Sequence, residues 1–366
     1  MTAPWKETTL PTILSNYSPR DIFNADEFGL FYRALPQKTL HLKGEKCSGG
    51  KHSKIRLTGL AAANMTGEKL PMFVIGKSKK PRCFKHITCL PCRYRGQSKS
   101  WMNSELFEEW VREQDKKFEK EGRKVALVID NCPAHPSIEN LKSIYLYFLP
   151  PNTTSVLQPM DQGVIRSLKA KYRTRVIKKI IGAIDQGKQT NPISILEAMK
   201  ILVLSWGDVT STTIVNCFKK AGFSEIAVSE DDDPFANLNE ALSQLKQRDE
   251  NAVPDSYSTE DLLSVDDDIV VTAQAPTDAE ILEEIRGSKI EEEEEDDDDE
   301  STAEDVAPIR PSNEEVRHAI ETLLTYSMFT ESGEVGAMAT KVSSVVESEL
   351  TRCLKQVTIT DFFKKQ

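Results

Sequence analysis

The run from Lys124 to Ile129 constrains the fold more than any other feature, because it is short, almost wholly apolar and ends directly at Asp130. A run of this kind is typical of a central strand that is buried on both faces of a sheet. The carboxyl end of such a strand is where open α/β sheets carry their functional side chains. The run therefore predicts an α/β domain with Asp130 at its functional edge.

Elements of alternating type surround this strand. The pattern predicts strands at 22–34, 54–65, 70–76 and 144–149, and helices that begin at Ser104 and cover 162–181. Thr66-Gly67 supplies a tight turn, so the first three strands are expected to form an antiparallel meander. The later β–α–β units are expected to add parallel strands to the same sheet. This order predicts a ribonuclease-H-like mixed sheet flanked by helices.

Three aspartates occur where metal chemistry needs them. Asp26 lies on the first strand in NADEFGL, Asp130 follows the central strand in VIDNCPAH, and Asp161 opens the last helix in LQPMDQGVI. Each of them alone could be a turn or cap residue. Three converging carboxylates repel one another unless cations neutralise them. Together they predict a catalytic two-metal Mg²⁺ or Mn²⁺ site, in which Asp26 and Asp130 bind both ions and Asp161 completes one.

The three blocks around these aspartates resemble the catalytic blocks of the pogo/Tigger group of transposases. This group belongs to the Tc1/mariner superfamily and includes jerky-like and centromere-protein-B-like relatives. The resemblance covers about residues 10–225 and includes the 30 residues between Asp130 and Asp161, the spacing known for the DDD triad of the group. It also includes the segments GEKLPMFVIGKSKKPRCFK and YLYFLPPNTTSVLQPMDQGVI. The resemblance implies a DDE superfamily endonuclease fold, a divalent metal and DNA as substrate.

Relatives in this group carry helix-turn-helix domains before the catalytic region. Only about 20 residues precede the first predicted strand here. We therefore expect residues 1–20 to be an N-terminal remnant that lacks those DNA-recognition domains. Site-specific transposition by this chain alone is not expected.

The net charge of −10 conceals two oppositely charged parts, because residues 1–225 carry +16 and the remainder carries −26. The first part predicts a surface that faces nucleic acid. Its basic clusters are either solvated surface or phosphate contacts, and we favour DNA contact. They comprise Lys77, Lys79, Lys80 and Arg82, together with Lys169, Lys171, Arg173, Arg175, Lys178 and Lys179. The first cluster is also a weak nuclear-localisation signal, and seven cysteines without a disulfide pattern fit a reducing compartment.

The chain divides by composition into further regions after the predicted catalytic domain at 21–225. Residues 226–311 are acidic and poor in aromatic side chains, which predicts a disordered linker. Residues 312–355 become periodic again and predict a helical hairpin that begins with the Ser312–Glu315 capping box. This hairpin could pair with itself, with the main domain or with a second copy, so a homodimer stays open. No run approaches the length of a membrane span.

The last residues, 356–366, match the motif that binds the sliding clamp PCNA. Gln356, Ile359, Phe362 and Phe363 occupy its spacing, and a single tight turn would place the apolar three on one side as a plug. Pogo-type transposases are similar in carrying such a tail. PCNA is therefore a predicted partner.

Several other polar residues near these blocks are assigned structural roles. Glu27 follows Asp26 on a strand, so its side chain is expected to point to the opposite face. His135 either approaches the metal site or packs within its loop. Cys83, His86, Cys89 and Cys92 have a zinc-like spacing, but a strand would place Cys89 and Cys92 on opposite faces, which argues against zinc.

These observations lead to two competing functions. The first is a transposase-derived nuclear protein with a metal-dependent DNA endonuclease and strand-transfer site. The second is a domesticated, non-catalytic nucleic-acid-binding protein that PCNA recruits. The intact aspartates favour the first. The expected loss of the recognition domains favours the second or a third hypothesis, an inert remnant that is expressed without selection.

Overall fold

The computed structural model describes residues 4–33, 55–188, 192–224, 233, 235–249, 253–254, 256–267, 271–272, 310–329 and 333–352. The chain divides into two compact units, Met1–Ala307 and Pro308–Gln366. The acidic run 291–300 and the tail 356–366 lie outside the described residues.

The first unit is built on a six-stranded mixed sheet with the strand order β4-β3-β2-β1-β5-β6. The strands are β1 Ile22–Leu30, β2 Leu57–Asn64, β3 Phe73–Gly76, β4 Arg93–Gly96, β5 Val125–Ile129 and β6 Ile144–Phe148. β1, β2 and β3 form an antiparallel meander, and β5 and β6 add in parallel beside β1. This topology confirms the predicted ribonuclease-H-like sheet. The short edge strand β4, parallel to β3, was not predicted.

Helices cover both faces of this sheet. They are α1 Leu10–Asn16, α2 Ser104–Lys120, α3 Thr154–Leu157, α4 Ile165–Asp185, α5 Ile195–Asp208, α6 Ser211–Lys220, α7 Ala236–Arg248 and α8 Thr259–Ser264. Two π-helical turns, Trp5–Thr9 and Met160–Val164, lead directly into α1 and α4. The helix predicted at 162–181 therefore begins two residues earlier and continues to Asp185.

The alternation of side chains along the strands produces two apolar cores. α2 covers one face, where Phe107, Trp110 and Phe118 pack on Phe23 and other odd-numbered side chains of β1 and β5. α4 to α8 cover the other face. α2 begins at Ser104 as predicted, because the Asn103 side chain accepts a hydrogen bond from the Leu106 backbone N–H at 3.0 Å.

Residues 4–20 contribute to this second core, a packing role that their interpretation as an N-terminal remnant did not predict. Trp5, Leu10 and Ile13 are buried. The Trp5 indole N–H donates to the Phe148 carbonyl at 3.2 Å, so the segment is anchored to the end of β6. Trp5 on the π-helical turn, together with Leu10 and Ile13 one helical turn apart, docks this short segment on the domain.

The region 226–311 is not wholly unstructured, which corrects the prediction of a disordered linker. α7 and α8 lie within it, and Leu238, Leu242, Leu245 and Leu262 are buried in the second core. The acidic average of the region concealed this apolar periodicity. Asp266, which follows α8, forms a buried ion pair with Arg173 of α4.

The second unit contains a helical hairpin, as the sequence predicts. It consists of α9 Asn313–Ser327 and α10 Gly333–Arg352. The predicted capping box is present, since Ser312 and Glu315 exchange hydrogen bonds at the start of α9. Arg317 and Glu347 join the two helices by an ion pair at 3.0 Å.

Membrane-spanning potential among the described helices is confined to one bent pair. No single described helix is both long and apolar enough to cross a bilayer. α5 and α6 meet those limits only when taken together, and they meet at an angle of 74°.

Asp115 on α2 anchors the start of β6. It is buried, and its carboxylate accepts the backbone N–H groups of Lys142, Ser143 and Ile144 at 2.7–3.1 Å. Burial disfavours the ionised form of Asp115 and would raise its pKa. The hydrogen bonds from the three backbone N–H groups have the larger effect, so the pKa of the carboxyl lies below its ordinary value. A lowered pKa in the folded state means that Asp115 stabilises the fold above about pH 4, the ordinary carboxyl pKa.

We expect Asp115→Asn to lower the free energy of unfolding at neutral pH by about 1–3 kcal/mol, because at least one buried N–H loses its acceptor. The difference from the unmodified chain should shrink as the pH falls through the folded pKa of Asp115. Urea unfolding between neutral and acidic pH measures both effects. Glu119→Gln on the same helix is the control, since Glu119 is exposed and its pair with Lys142 is worth little. An equal loss at every pH would contradict the assignment.

Candidate metal centre

The pairing of β1 with β5 places two of the predicted aspartates side by side. The parallel register ends at Asn24 opposite Val128, and Asp26 and Asp130 each lie two residues further along. Asp26 is partly buried on the face that α4 covers, and Asp130 is partly exposed just after β5. The strand geometry thus delivers both carboxylates to one edge of the sheet.

Asp161 reaches the same edge from the π-helical turn Met160–Val164. Its backbone N–H donates to the Gln158 carbonyl at 3.1 Å, which closes the turn before α4. Within this turn Gly163 adopts a φ of 143°. π-Helical turns are rare and occur often at functional sites, where they re-aim a side chain.

Asn24 holds these three elements together, a role that sequence reasoning did not find. Its side-chain N–H donates to the Val128 carbonyl at 2.9 Å, and its side-chain oxygen accepts the Met160 N–H at 2.9 Å. Asn24 is wholly buried. Its position two residues before Asp26 in NADEFGL, on the same face of the strand, was the available signal.

The Asp26 and Asp161 side chains share a hydrogen bond. Burial, the charge on Asp161 and the charge on Glu27 raise the pKa of Asp26 well above its ordinary value. Asp161 is exposed to solvent on one side. Partial burial of its carboxyl and the charge on Asp130 nevertheless raise its pKa as well. In the metal-free protein the two carboxyls therefore share one proton. Bound cations would neutralise the two carboxylates in its place.

Gln158 is a second residue that sequence reasoning missed. It is 1% exposed, and its side-chain amide donates a hydrogen bond to Asp26, which partly offsets the rise of the Asp26 pKa. Gln158 lies three residues before Asp161 in the quoted LQPMDQGVI block. Residue type alone did not mark it, because an uncharged amide gives no sign of metal chemistry.

His135 connects Asp130 to Glu27, whose side chain lies on the face of β1 opposite to that of Asp26. Its Nδ1 lies 2.6 Å from Asp130 Oδ1, and its Nε2 lies 3.2 Å from Glu27 Oε1. Burial alone would lower the pKa of His135, but Glu27, Asp130 and Cys132 together raise it far above its ordinary value. Glu27 lies on the face expected for it, and His135 approaches the metal site as well as packing within its loop.

Comparison with known proteins shows what this chain is similar to. The family model described as DDE superfamily endonuclease matches residues 54–218, a range that contains Asp130 and Asp161, while Asp26 precedes it. Residues 54–218 are therefore similar to DDE superfamily endonuclease domains. Relatives of known name include the mouse Tigger transposable element-derived protein 4, which is 45% identical over 60% of this chain and 43% of that protein.

Two further relatives extend the likeness. The human major centromere autoantigen B is 30% identical over 61% of this chain and 37% of its own length. The CENP-B homolog protein 2 of Schizosaccharomyces pombe is 27% identical over 88% of this chain and 64% of its own length. The chain therefore spans less than two thirds of each of these relatives.

Among solved structures, the Mos1 transposase paired-end complex with left transposon end superposes with a TM-score of 0.35 at 12% identity, over 66% of this chain and 61% of that chain. The catalytic domain of Mos1 mariner transposase gives a TM-score of 0.34 at 12% identity, over 66% and 91%.

The basic side chains predicted on α4 do not all fit a role in DNA contact. Arg173 is 1% exposed and binds Asp266 at 2.9 Å, so its guanidinium is not accessible to phosphate. Lys169 is largely buried beside Asp266 and Asp161, and burial lowers its pKa. Both predictions are corrected by the buried ion pairs that α4 makes with the acidic region.

The remaining α4 cations are more accessible. Arg175 pairs with Asp208 at 2.6 Å, and Lys179 pairs with Glu197. Lys171 is partly exposed and Lys178 is exposed. Helical spacing placed all six cations on one helix, but it could not tell the solvent side from the buried side, because long cationic side chains occur on both.

The loop after β3 offers a clearer cationic surface. Its members Lys77, Lys79, Lys80 and Arg82 are all exposed. β3 runs parallel to β1, since each is antiparallel to β2, so this loop leaves the sheet at the edge that carries Asp130. The predicted DNA contact by this cluster is thus compatible with the position of the aspartates.

The zinc-like spacing at 83–92 does not bring its residues into one cluster. Cys83 is buried in its 3₁₀ turn, whereas His86 and Cys89 are exposed. Cys92 directly precedes β4, and burial raises the pKa of its thiol to about 12.

Gly163 is required by the turn that presents Asp161. Its φ of 143° is a conformation that L side chains rarely adopt, and a Cβ there would meet Cys217 Sγ at 3.4 Å. We expect Gly163→Ala to lower the free energy of unfolding by about 1–3 kcal/mol and to displace Asp161.

Gly182→Ala in α4 is the matched control for this substitution. A Cβ at Gly182 meets nothing within 4 Å. The same change should stabilise the chain there by up to about 1 kcal/mol through helix propensity. Thermal unfolding of the two variants measures the contrast. A neutral or stabilising Gly163→Ala would show that the turn does not depend on this glycine.

Proposed function

We propose that this chain is a divalent-metal-dependent DNA endonuclease and strand transferase that acts through Asp26, Asp130 and Asp161. The observation that carries the proposal is the convergence of these side chains, in which Asp26 and Asp161 share a hydrogen bond and Asp130 acts on Asp161 electrostatically. Carboxyl groups gathered at one sheet edge, with the pKa values of Asp26 and Asp161 raised, are typical of a site that a cation completes.

The donor set of the triad fits Mg²⁺ or Mn²⁺. It consists of carboxylate oxygens, which are the ligands that hard divalent cations prefer. Asp26 and Asp130 would contribute to both ions of a two-metal site, and Asp161 would complete one of them. When bound, such ions activate the attacking oxygen and stabilise the leaving oxygen in phosphodiester chemistry.

The surrounding residues position this triad. Asn24 fixes β1, β5 and the turn that carries Asp161 in one arrangement. Gln158 orients Asp26 through its side-chain amide. Pre-organised ligands of this kind reduce the rearrangement that metal binding and reaction require.

DNA is the proposed substrate. The exposed cations Lys77, Lys79, Lys80 and Arg82 lie on a loop at the triad's edge of the sheet, where they would contact phosphates without reading sequence. The positive net charge of residues 1–225 and the likeness to a transposable element-derived protein support the same substrate.

The experiment that tests the function is cleavage of supercoiled plasmid by the full chain with Mg²⁺ or Mn²⁺, compared with Asp130→Ala. We expect nicking that requires the metal and disappears in the variant. Equal products from both folded proteins would overturn the proposal. DNA binding without any nicking would favour the second candidate, a non-catalytic nuclear DNA-binding protein.

The remaining expectations concern partners and location. We propose that Gln356, Ile359, Phe362 and Phe363 bind PCNA, which rests on their spacing because they lie outside the described residues. A nuclear location follows from the proposed DNA substrate. A homodimer through the hairpin is supported by the exposed apolar side chains Tyr326 and Met328.

A further inference from the structure

The loop that follows β5 gathers three different metal-binding side chains. Ligand atoms of Asp130, Cys132 and His135 all lie within 4.8 Å of one another. The His135 backbone N–H donates to the Cys132 carbonyl at 3.0 Å, and this turn folds the imidazole back over Asp130. We propose that these three residues form a binding site for Zn²⁺.

The donor set distinguishes this site from the carboxylate triad. A thiolate, an imidazole nitrogen and one carboxylate oxygen suit Zn²⁺, whereas Mg²⁺ and Mn²⁺ prefer oxygen ligands. Three protein ligands with an open fourth position form the arrangement of zinc sites that keep a water or an exchangeable ligand.

The imidazole of His135 is held in the orientation that a ligand requires. Its ring packs on Phe107, with 4.2 Å between the ring centroids, and its side chain is 1% exposed. Its Nε2 lies 3.2 Å from Glu27 Oε1, and the Glu27 side chain is equally buried. A carboxylate that accepts the proton of one ring nitrogen and leaves the other for the metal is the usual partner of a ligating histidine.

The other nitrogen, Nδ1, faces the remaining ligands. It lies 2.6 Å from Asp130 Oδ1, the length of a charge-assisted hydrogen bond. Zinc would replace this bond, with the two atoms moving to about 3.3 Å apart around a tetrahedral ion. Asp130 and Cys132 are partly exposed, so an ion could enter from solvent while His135 and Glu27 form the inner wall. Binding would release the thiol proton and any Nδ1 proton to solvent.

Co²⁺ titration of the metal-free full chain tests this site, because a cobalt–thiolate bond produces a charge-transfer absorption band. We expect that band to appear on adding Co²⁺, to be displaced by Zn²⁺ and to persist in excess Mg²⁺. Cys132→Ser should abolish the band, and His135→Ala should weaken binding strongly. Glu27→Gln should weaken binding about 10- to 100-fold, as loss of a supporting carboxylate does elsewhere.

Matched controls come from the loop after β3, where Cys89 and His86 are exposed. Cys89→Ser and His86→Ala should leave the band and the affinity unchanged. Absence of the band, its persistence in Cys132→Ser, or its loss in Cys89→Ser would overturn the proposal. Far-ultraviolet circular dichroism confirms that each variant is folded, and Cys132→Ser is the mildest change because the residue is partly exposed.

The titration contains no DNA, so its outcome is independent of whether the triad cleaves DNA. A consequence for activity rests on the proposed function, since Asp130 belongs to both sites. Zn²⁺ bound by Asp130, Cys132 and His135 would then compete with the ions of the triad. Inhibition of nicking by Zn²⁺ that Cys132→Ser relieves would link the two sites.

Discussion

Asp161→Asn and Asp26→Asn are each expected to lower metal-dependent DNA cleavage by about 10³-fold or more. Removal of one ligand forfeits part of the charge stabilisation that a bound ion supplies to the transition state, which is worth several kcal/mol. Asn has nearly the size and polarity of Asp, so the expected loss of activity comes from the missing ligand charge and not from altered packing. The initial rate of plasmid nicking measures it, with Glu139→Gln, an exposed carboxylate in the loop after β5, as the control.

The same variants have an opposite expected effect on stability. In the metal-free protein the raised pKa values of Asp26 and Asp161 mean that the fold loses stability as the pH rises from the ordinary carboxyl pKa, about 4, through the raised folded values, and that the loss is complete above them. Stability should therefore increase as the pH is lowered through the folded pKa values toward about 4, and each Asn variant should flatten that dependence. Unchanged nicking by Asp161→Asn, within about tenfold, would exclude the assigned role.

Arg173→Ala is expected to lower the free energy of unfolding by about 3–5 kcal/mol, the cost of breaking a buried ion pair. The guanidinium binds the Asp266 carboxylate at 2.9 and 3.0 Å and the Phe31 carbonyl at 2.9 Å. Asp266 is 3% exposed, so without Arg173 its charge would lack its principal partner. Lys169, at 3.9 Å from Asp266, is too distant to replace that bond.

Urea unfolding at neutral pH measures the effect of Arg173→Ala. Arg112→Ala is the matched control, because its pair with Glu108 is exposed and is worth less than about 1 kcal/mol. The double variant Arg173→Met with Asp266→Leu should lose less than the sum of the two single changes, since it removes both charges together. Additive losses would show that the two side chains are not coupled.

Much of the sheet could be predicted because its strands follow simple patterns. The apolar run before Asp130 and the turn at Thr66-Gly67 each admitted one interpretation, and both agree with the observed topology. β4 was missed because four residues, RYRG, carry no period that separates them from a loop. α7 and α8 were missed because the acidic average of their region outweighed their buried leucines.

The residues of the candidate site also differ in whether the sequence could reveal them. Asp26, Asp130 and Asp161 could be chosen by residue type and context, and the structure places their elements together. Asn24 and Gln158 could not, because uncharged amides are common in loops and strands without any functional role. Arg173 was assigned to DNA from its charge alone, and only the fold reveals that Asp266 lies opposite it.

The contacts of the Asp266 segment bear on where the chain can be truncated. Asp266 also accepts the Phe31 backbone N–H at 2.7 Å, and the Met102 N–H donates to the Val271 carbonyl at 2.8 Å. A shortened polypeptide that stopped at residue 225 would retain the family-matched range and all three aspartates, yet it would lack Asp266, the buried carboxylate that binds the guanidinium of Arg173. The folding unit therefore includes the Asp266 segment, and a fragment designed from sequence likeness alone is expected to be unstable.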